Sequence, residues 1–467
     1  MNWNTILSDK RFVNVSNTNN SYDKTDYDKI ICSTLFRRLQ DKAQVFPLDE
    51  DDYVRTRLTH SLEVSAIGKK LGEFVFDLLI KERKDDYLLS HYTKYEFADI
   101  LLCAGLIHDI GNPPFGHFGE YAIREWFLKN LDTLYLGSKK VKDILTPWQI
   151  QDLYNFEGNA QSLRLLSRTP YLGNQNGFNL SYKVLAAIIK YPISSIDKLT
   201  SNSHRYKKFG YYYSEQELFN DLDRTMQLNG CRHPLSWLLE AADDISYRTS
   251  DIEDAIVKKV LTLQQIIDSF SNYLATHENT CQFKDEVAAH LTDLISIYKE
   301  QLLVHDTKPE LTALQIWNQN VQDLMIRDAS MSFIQHYDQI MSGCFSGDLF
   351  EGTVSGCIID VIAQLSEQYI YTSPLKTRTE LFGRRIILSL LDQFMPAALL
   401  YDTNEAASFI DHRTMDTVSG FYKCMYHSEA VGKSEQDKLY LRILLITDYI
   451  SGMTDNYAKR LYQELFI

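Results

Sequence analysis

The stretch LIHDIGNPPFGHFGE, residues 106–120, joins a buried helix to a forced break. Upstream of it, apolar residues recur at helical spacing, so residues 95–110 read as one buried helix. The run GNPPFG stops that helix, because glycine and paired prolines cannot continue it. At the stop stand His108 and Asp109, a neutral nitrogen beside a carboxylate. That mixed set suits a divalent ion such as Mg²⁺, Mn²⁺ or Fe²⁺. An HD dipeptide alone carries little weight, since a histidine at a helix end is commonly a satisfied structural residue. The context adds weight: the break immobilises the pair, and His117 and Glu120 follow three residues apart, on one face of any helix that begins there.

Working outward, RTRLTHS (55–61) places Arg57 and His60 one turn apart on a shared face, and Val64, Ile67 and Leu71 continue that face as an apolar stripe. Downstream, HPLSWLLEAADDISYRTSDIEDAI (233–256) reads as one long helix with Pro234 in its first turn. Asp243, Tyr247 and Asp251 fall at i, i+4 and i+8 on one stripe of it. Carboxylates are costly to bury unless something pairs with them, so this stripe points to a ligand. The alternative, an exposed acidic face, is crowded by Leu238, Leu239, Ala242 and Ile245.

The remaining chain gives the class. Of 467 residues, 45% are hydrophobic, 12% are aromatic, and only 20 Gly and 10 Pro interrupt them. Large cores and long elements follow, and disorder is excluded. Helical periods run from about residue 28 to Tyr462, with no alternation that would build a central sheet. The expected class is all-α. Residues 1–27 read as an irregular N-terminal arm, 28–270 as the catalytic core, and 271–467 as a helical C-terminal region. The polar stretches 131–155 and 193–214 read as insertions or loops.

A formal net charge of −14 repels nucleic acid and anionic lipid on average, so a polyanionic ligand needs a local basic pocket or a bound cation. Nucleic acid is left open as a partner. Seven scattered cysteines without a CxxC pair suggest reduced thiols and a cytoplasmic setting. No apolar run approaches the ~20 residues of a membrane span.

The order H…HD…D is that of the HD phosphohydrolase superfamily, and the chain resembles more closely the bacterial deoxyguanosine triphosphate triphosphohydrolase family. The matching stretches are RRLQDKAQVFPL (37–48), VRTRLTHSLEV (54–64), GLIHDIGNPPFGHFGE (105–120), FEGNAQSLRLL (156–166), KKFGYYYSE (207–215), EAADDISYRTSDIEDA (240–255) and DYISGMTDNYA (448–458). They lie in order along nearly the whole chain. The resemblance implies an all-helical HD core, a divalent metal (Mg²⁺ or Mn²⁺), and hydrolysis of dGTP or another dNTP to the deoxynucleoside and inorganic triphosphate. Metal ligation falls on His60, His108, Asp109 and Asp243, the last chosen over Asp244 because the family's aspartate precedes a tyrosine by four and an aspartate by eight. His117 is the candidate for proton transfer and Glu120 its partner, with the division of acid, base and relay left open.

Arg57 and Lys208 match phosphate-binding positions, although Lys207 could exchange with Lys208. Gln44 and Asp251 resemble residues that hold a 3′-hydroxyl, and Tyr247 resembles a tyrosine that packs on deoxyribose; a core aromatic is its plainer reading. Asn159 approaches the base or caps a helix. Arg384 stands in ELFGRRI (380–386) where close relatives carry tyrosine near the substrate, which puts a strict guanine preference in doubt. The resemblance also implies a homohexamer and allows a regulatory nucleotide. Phe409, Phe421, Tyr422 and Met425 would serve that assembly or fill an accessory core. Two competing readings keep the fold and change the activity. One is a 5′-nucleotidase or phosphodiesterase, and the other is a non-catalytic nucleotide sensor.

Overall fold

The computed structural model describes residues 1–13, 25–49, 51–84, 86–170, 177–200, 207–277 and 282–467. Helix α1 (Arg57–Leu78) starts at Thr56, whose hydroxyl accepts the Thr59 amide while Thr59 bonds back to the Thr56 amide. This reciprocal cap satisfies two donors that a helix start would otherwise leave unpaired. Helix α2 (Lys94–Ile107) begins the same way at Thr93 and Glu96. The two helices lie backbone to backbone. A Cβ on Gly105 would come within 2.7 Å of the Ser65 backbone, so only glycine permits this approach.

Beyond α2 the HD pair turns sharply, and Phe115 caps helix α3 (Gly116–Asn130) in the left-handed region at φ +63°. A phenylalanine there is strained and must be held by its surroundings. Helix α4 (Gly158–Arg168) braces the turn: its Ser162 hydroxyl accepts the Gly111 amide and donates to the His108 carbonyl. Helix α5 (Tyr182–Ile188) follows, then α6 (Pro234–Val257), with Pro234 at its first position and the His233 ring accepting the Leu235 amide. Helix α7 (Pro309–Gln335) packs against α1 and α6. Helix α8 (Pro374–Leu400) packs on α3, where Gly383 accommodates the Phe115 ring; a Cβ there would lie 2.4 Å from it. Helices α9 (Glu435–Ser451) and α10 (Asp455–Phe466) return to the core beside α8.

The all-α expectation holds. Among the described residues the only paired strands are the two-residue hairpin Tyr135–Leu136 with Lys139–Lys140. The expected helix over residues 95–110 is α2, and the one over 233–256 is α6. The stretch 131–155 is more ordered than expected. It holds that hairpin and a helix, Pro147–Tyr154, capped by Thr146 and Gln149. Its polar composition hid the buried Val141, Leu145 and Leu153. Within 193–214 the segment Ser195–Thr200 is helical, and 201–206 lie outside the described residues. The stretch read as an arm contains a helical turn, Trp3–Ile6, with Trp3 and Ile6 buried. No helix among the described residues is long and apolar enough to cross a membrane.

Candidate metal and substrate site

Helices α1, α2 and α6 bring His60, His108 and Asp243 together, although these residues are far apart in sequence. Each offers one ligand atom, and the three atoms lie within 4.8 Å of one another. The Asp243 Oδ1 is 3.1 Å from His60 Nε2 and 3.6 Å from His108 Nε2. The backs of the rings are fixed. His60 Nδ1 meets the Ser246 hydroxyl at 3.3 Å, and His108 Nδ1 meets the Gly105 carbonyl at 2.8 Å. The inward His108 Nε2 is buried and has no hydrogen-bond partner. An imidazole fixed from behind with an unspent nitrogen in front is the arrangement of a metal ligand, so the donor set fits a divalent ion.

Asp109 borders this cluster but is spoken for on both oxygens. Oδ2 forms an ion pair with Arg57, and Oδ1 accepts from Asn112 Nδ2 at 2.5 Å while standing 3.5 Å from His108 Nε2. Burial alone would raise the Asp109 carboxyl; Arg57, His108 and His60 outweigh that and hold it well below the usual range. Asp243 is likewise held ionised against burial, chiefly by Lys190, whose ammonium lies 3.0 Å from Oδ2. Asp244 turns instead to Tyr247. Burial, with Asp243 beside it, pushes its carboxyl up to about 7.

A cavity of about 470 Å³ opens over these ligands. Its lining includes Arg57, His117, Lys190, Lys208 and Lys376, together with Gln44, Asn159, Tyr247, Asp251, Tyr371 and Glu380. This acidic protein thus lines the cavity with four cationic side chains, of which Arg57 and Lys190 pair with the carboxylates Asp109 and Asp243 at the histidines. Lys208 donates to Glu157 at 3.0 Å. Asn159 bonds Glu157 at 2.8 Å and is not the cap of α4, which is Glu157 itself. Asp251 accepts from the Tyr371 hydroxyl at 2.9 Å on Oδ2, whereas its buried Oδ1 and the Gln44 Oε1 have no partner. Burial pushes the Asp251 carboxyl up to about 7, and the Tyr371 bond offsets part of that rise.

His117 lines the cavity from the first turn of α3 and is 72% exposed, with Nδ1 3.3 Å from the buried Glu120 Oε2. Glu120 is itself anchored, since its Oε1 accepts the Gly158 amide at 2.8 Å.

Arg384 does not line the cavity. It forms a two-pronged pair with Glu125 at 2.6 and 2.7 Å on the outer face of α3. Lys190, Tyr191, Tyr371, Lys376 and Glu380 line the cavity without having been singled out from sequence. Lys190 sits between the apolar run of α5 and Pro192, and nothing in that spacing marks it as a cation facing a metal cluster. Tyr422 and Met425 are buried and Phe421 is partly buried, so these fill a helical core; Phe409 is exposed.

The HD domain family matches residues 57–164, which spans α1 to α4 and the HD turn. A deoxyguanosinetriphosphate triphosphohydrolase-like protein of Listeria innocua is 41% identical over 475 residues, covering 100% of this chain and 99% of that protein. One of the same description from Synechocystis sp. is 32% identical over 481 residues, covering 100% and 99%. The deoxyguanosinetriphosphate triphosphohydrolase of Salmonella typhimurium is 33% identical over 484 residues, covering 95% and 93%.

Proposed function

This chain belongs to the deoxyguanosinetriphosphate triphosphohydrolase family of HD-domain proteins, and from that premise we propose how its site acts. It is a dNTP triphosphohydrolase, a hydrolase of the metal-dependent HD class. The reading of its residues rests above all on one observation. Two histidines and an aspartate line one cavity with Lys190 paired to the aspartate, and the helix that carries the aspartate continues along that cavity with Tyr247 and Asp251.

The reaction breaks the bond between the α-phosphorus and the 5′-oxygen. Water supplies hydroxide to phosphorus, and a proton goes to the departing 5′-oxygen. A divalent ion, Mg²⁺ or Mn²⁺, held by His60, His108 and Asp243 with Asp109 beside them, would supply Lewis acidity and a water of lowered pKa. Arg57, Lys190 and Lys208 hold the triphosphate and stabilise charge developing on its oxygens. His117, exposed to the cavity, delivers the proton to the 5′-oxygen, and the anchored Glu120 keeps its ring aimed.

Further along α6, Tyr247 presses on the C2′ side of the sugar. The unpartnered oxygens of Asp251 and Gln44 take the 3′-hydroxyl, and Asn159 faces the base. The favoured substrate is dGTP, with other dNTPs admitted. The cysteines support a reducing, cytoplasmic setting, since all six among the described residues are free thiols. The exposed Phe409 and Ile410 suit a homo-oligomeric contact.

Release of inorganic triphosphate from the four dNTPs, with GTP as control, tests this reading. Release of orthophosphate or cleavage of monophosphates would indicate a different HD activity, and no turnover with retained nucleotide binding would indicate a sensor.

A further inference from the structure

Two stretches that line the cavity are tied to one carboxylate that does not line it. Asp455, at the first position of α10, is 2% exposed. Its Oδ2 accepts the Ala43 amide at 3.0 Å and its Oδ1 the Phe115 amide at 2.9 Å. Ala43 precedes Gln44, and Phe115 is the strained residue two before His117. A second bond set reinforces the junction. The buried Lys42 ammonium donates to the carbonyls of Asn112 and Ser451, at 2.5 and 2.7 Å, while its own carbonyl accepts the Arg57 amide at 2.8 Å. Arg38 donates to the Gly452 carbonyl at 3.0 Å, and Asn456 to Asp41 at 2.6 Å. Three segments remote in sequence (38–43, 112–115 and 451–456) therefore meet at one point behind the site.

We propose that Asp455 is a positioning residue that sets the Gln44 wall and the His117 turn in register across the cavity. Phe115 occupies a left-handed conformation unfavourable to a bulky side chain, so its amide needs an external anchor to stay there. A carboxylate has two acceptor oxygens and no donor when ionised, so it can hold two amides at once, one on each oxygen. An asparagine would turn one oxygen into an amino group facing a backbone N–H, and at most one tie would survive. The consequence for turnover rests on the activity proposed above; the tie itself does not.

The test is Asp455→Asn, made alone and with His117→Ala. Alone it should lower kcat/KM for dGTP by roughly 10- to 100-fold, as small misplacements of catalytic groups do, with bound metal unchanged. In the His117→Ala background the further loss should shrink several-fold, because the residue being misplaced is already gone. Amide hydrogen exchange should speed up together at residues 43–44 and 115–117. In the unsubstituted protein, the Ala43 and Phe115 amides should be protected and open with the same denaturant dependence, a measurement that needs no variant to fold. Losses that simply multiply in the double variant, or amides that open independently, overturn the proposal. A wild type that hydrolyses no dNTP would sink the activity reading alone, and the exchange data would still decide the clamp.

Discussion

His117 and Glu120 form a pair of opposite character: the imidazole is open to the cavity, and the carboxylate 3.3 Å behind it is buried and tied to the backbone of α4. A proton donor must reach the substrate, and its partner must not move. His117→Ala should reduce kcat by about 10²- to 10⁴-fold, the usual contribution of a general acid or base. Glu120→Gln should give a smaller loss of the same kind. Metal stoichiometry should stay normal in both; loss of metal from His117→Ala would make it a ligand instead.

Metal binding should depend on His60, His108 and Asp243 individually. Alanine at any one removes a third of the cluster and should abolish both bound metal and hydrolysis, measured by elemental analysis of the purified variant. Asp109 is the informative case because it also neutralises Arg57. If it ligates, Asp109→Asn should lose metal; if it only pairs with Arg57, metal should remain and KM should change.

The face of α6 that carries Tyr247 and Asp251 should separate two kinds of discrimination. Tyr247→Ala should relax the rejection of GTP while weakening dGTP use, since crowding at C2′ is removed. Asp251→Ala should sharply reduce the preference for dGTP over the 2′,3′-dideoxy nucleotide, since one of the two acceptors proposed for the 3′-hydroxyl is removed. Values of kcat/KM for the three nucleotides in both variants check this. GTP fully excluded in the first, with the dideoxy penalty intact in the second, would show that this face does not read sugar.

Arg384 should be silent in base choice. Its guanidinium is committed to Glu125 outside the cavity. Arg384→Ala should leave the ranking of the four dNTPs unchanged, and a reordered ranking would place it in the site after all.

Asp152 should make stability depend on pH. It is buried, accepts from Ser195, Tyr213 and Tyr440, and burial pushes its carboxyl up to about 7 despite those donors. The folded protein thus holds a proton that the unfolded chain releases near the ordinary carboxylate value. Its stabilising contribution is complete below about pH 4 and is lost as the pH rises through about 7. The melting-temperature gap between wild type and Asp152→Asn should narrow from pH 5 to 8. A constant gap would show that Asp152 is ionised throughout.

The legible part of the site was whatever a helix repeats. Asp243, Tyr247 and Asp251 share a stripe because their spacing is near a helical turn, and that stripe lines the cavity. His108 was marked by the break that follows it. Lys190, Tyr371 and Glu380 gave no such mark, because each enters the cavity from an element whose other residues mostly do structural work. Arg384 shows the converse, since its neighbours in sequence pointed to the substrate and its rotation on α8 points it at α3. The hairpin and helix within 131–155 are short, and the helix buries two polar residues, Gln149 and Asp152, beside Leu153, so apolar spacing does not mark it and only its cap, Thr146 with Gln149, does.

Ala43 and Asp455 are 412 residues apart along the chain. During synthesis at about 5–20 residues per second, the first would wait on the order of 20–80 s for the second to leave the ribosome. The HD turn and its histidines would exist well before the junction that squares them to Gln44. A nascent chain would therefore carry the HD turn and its histidines before the junction that aligns them.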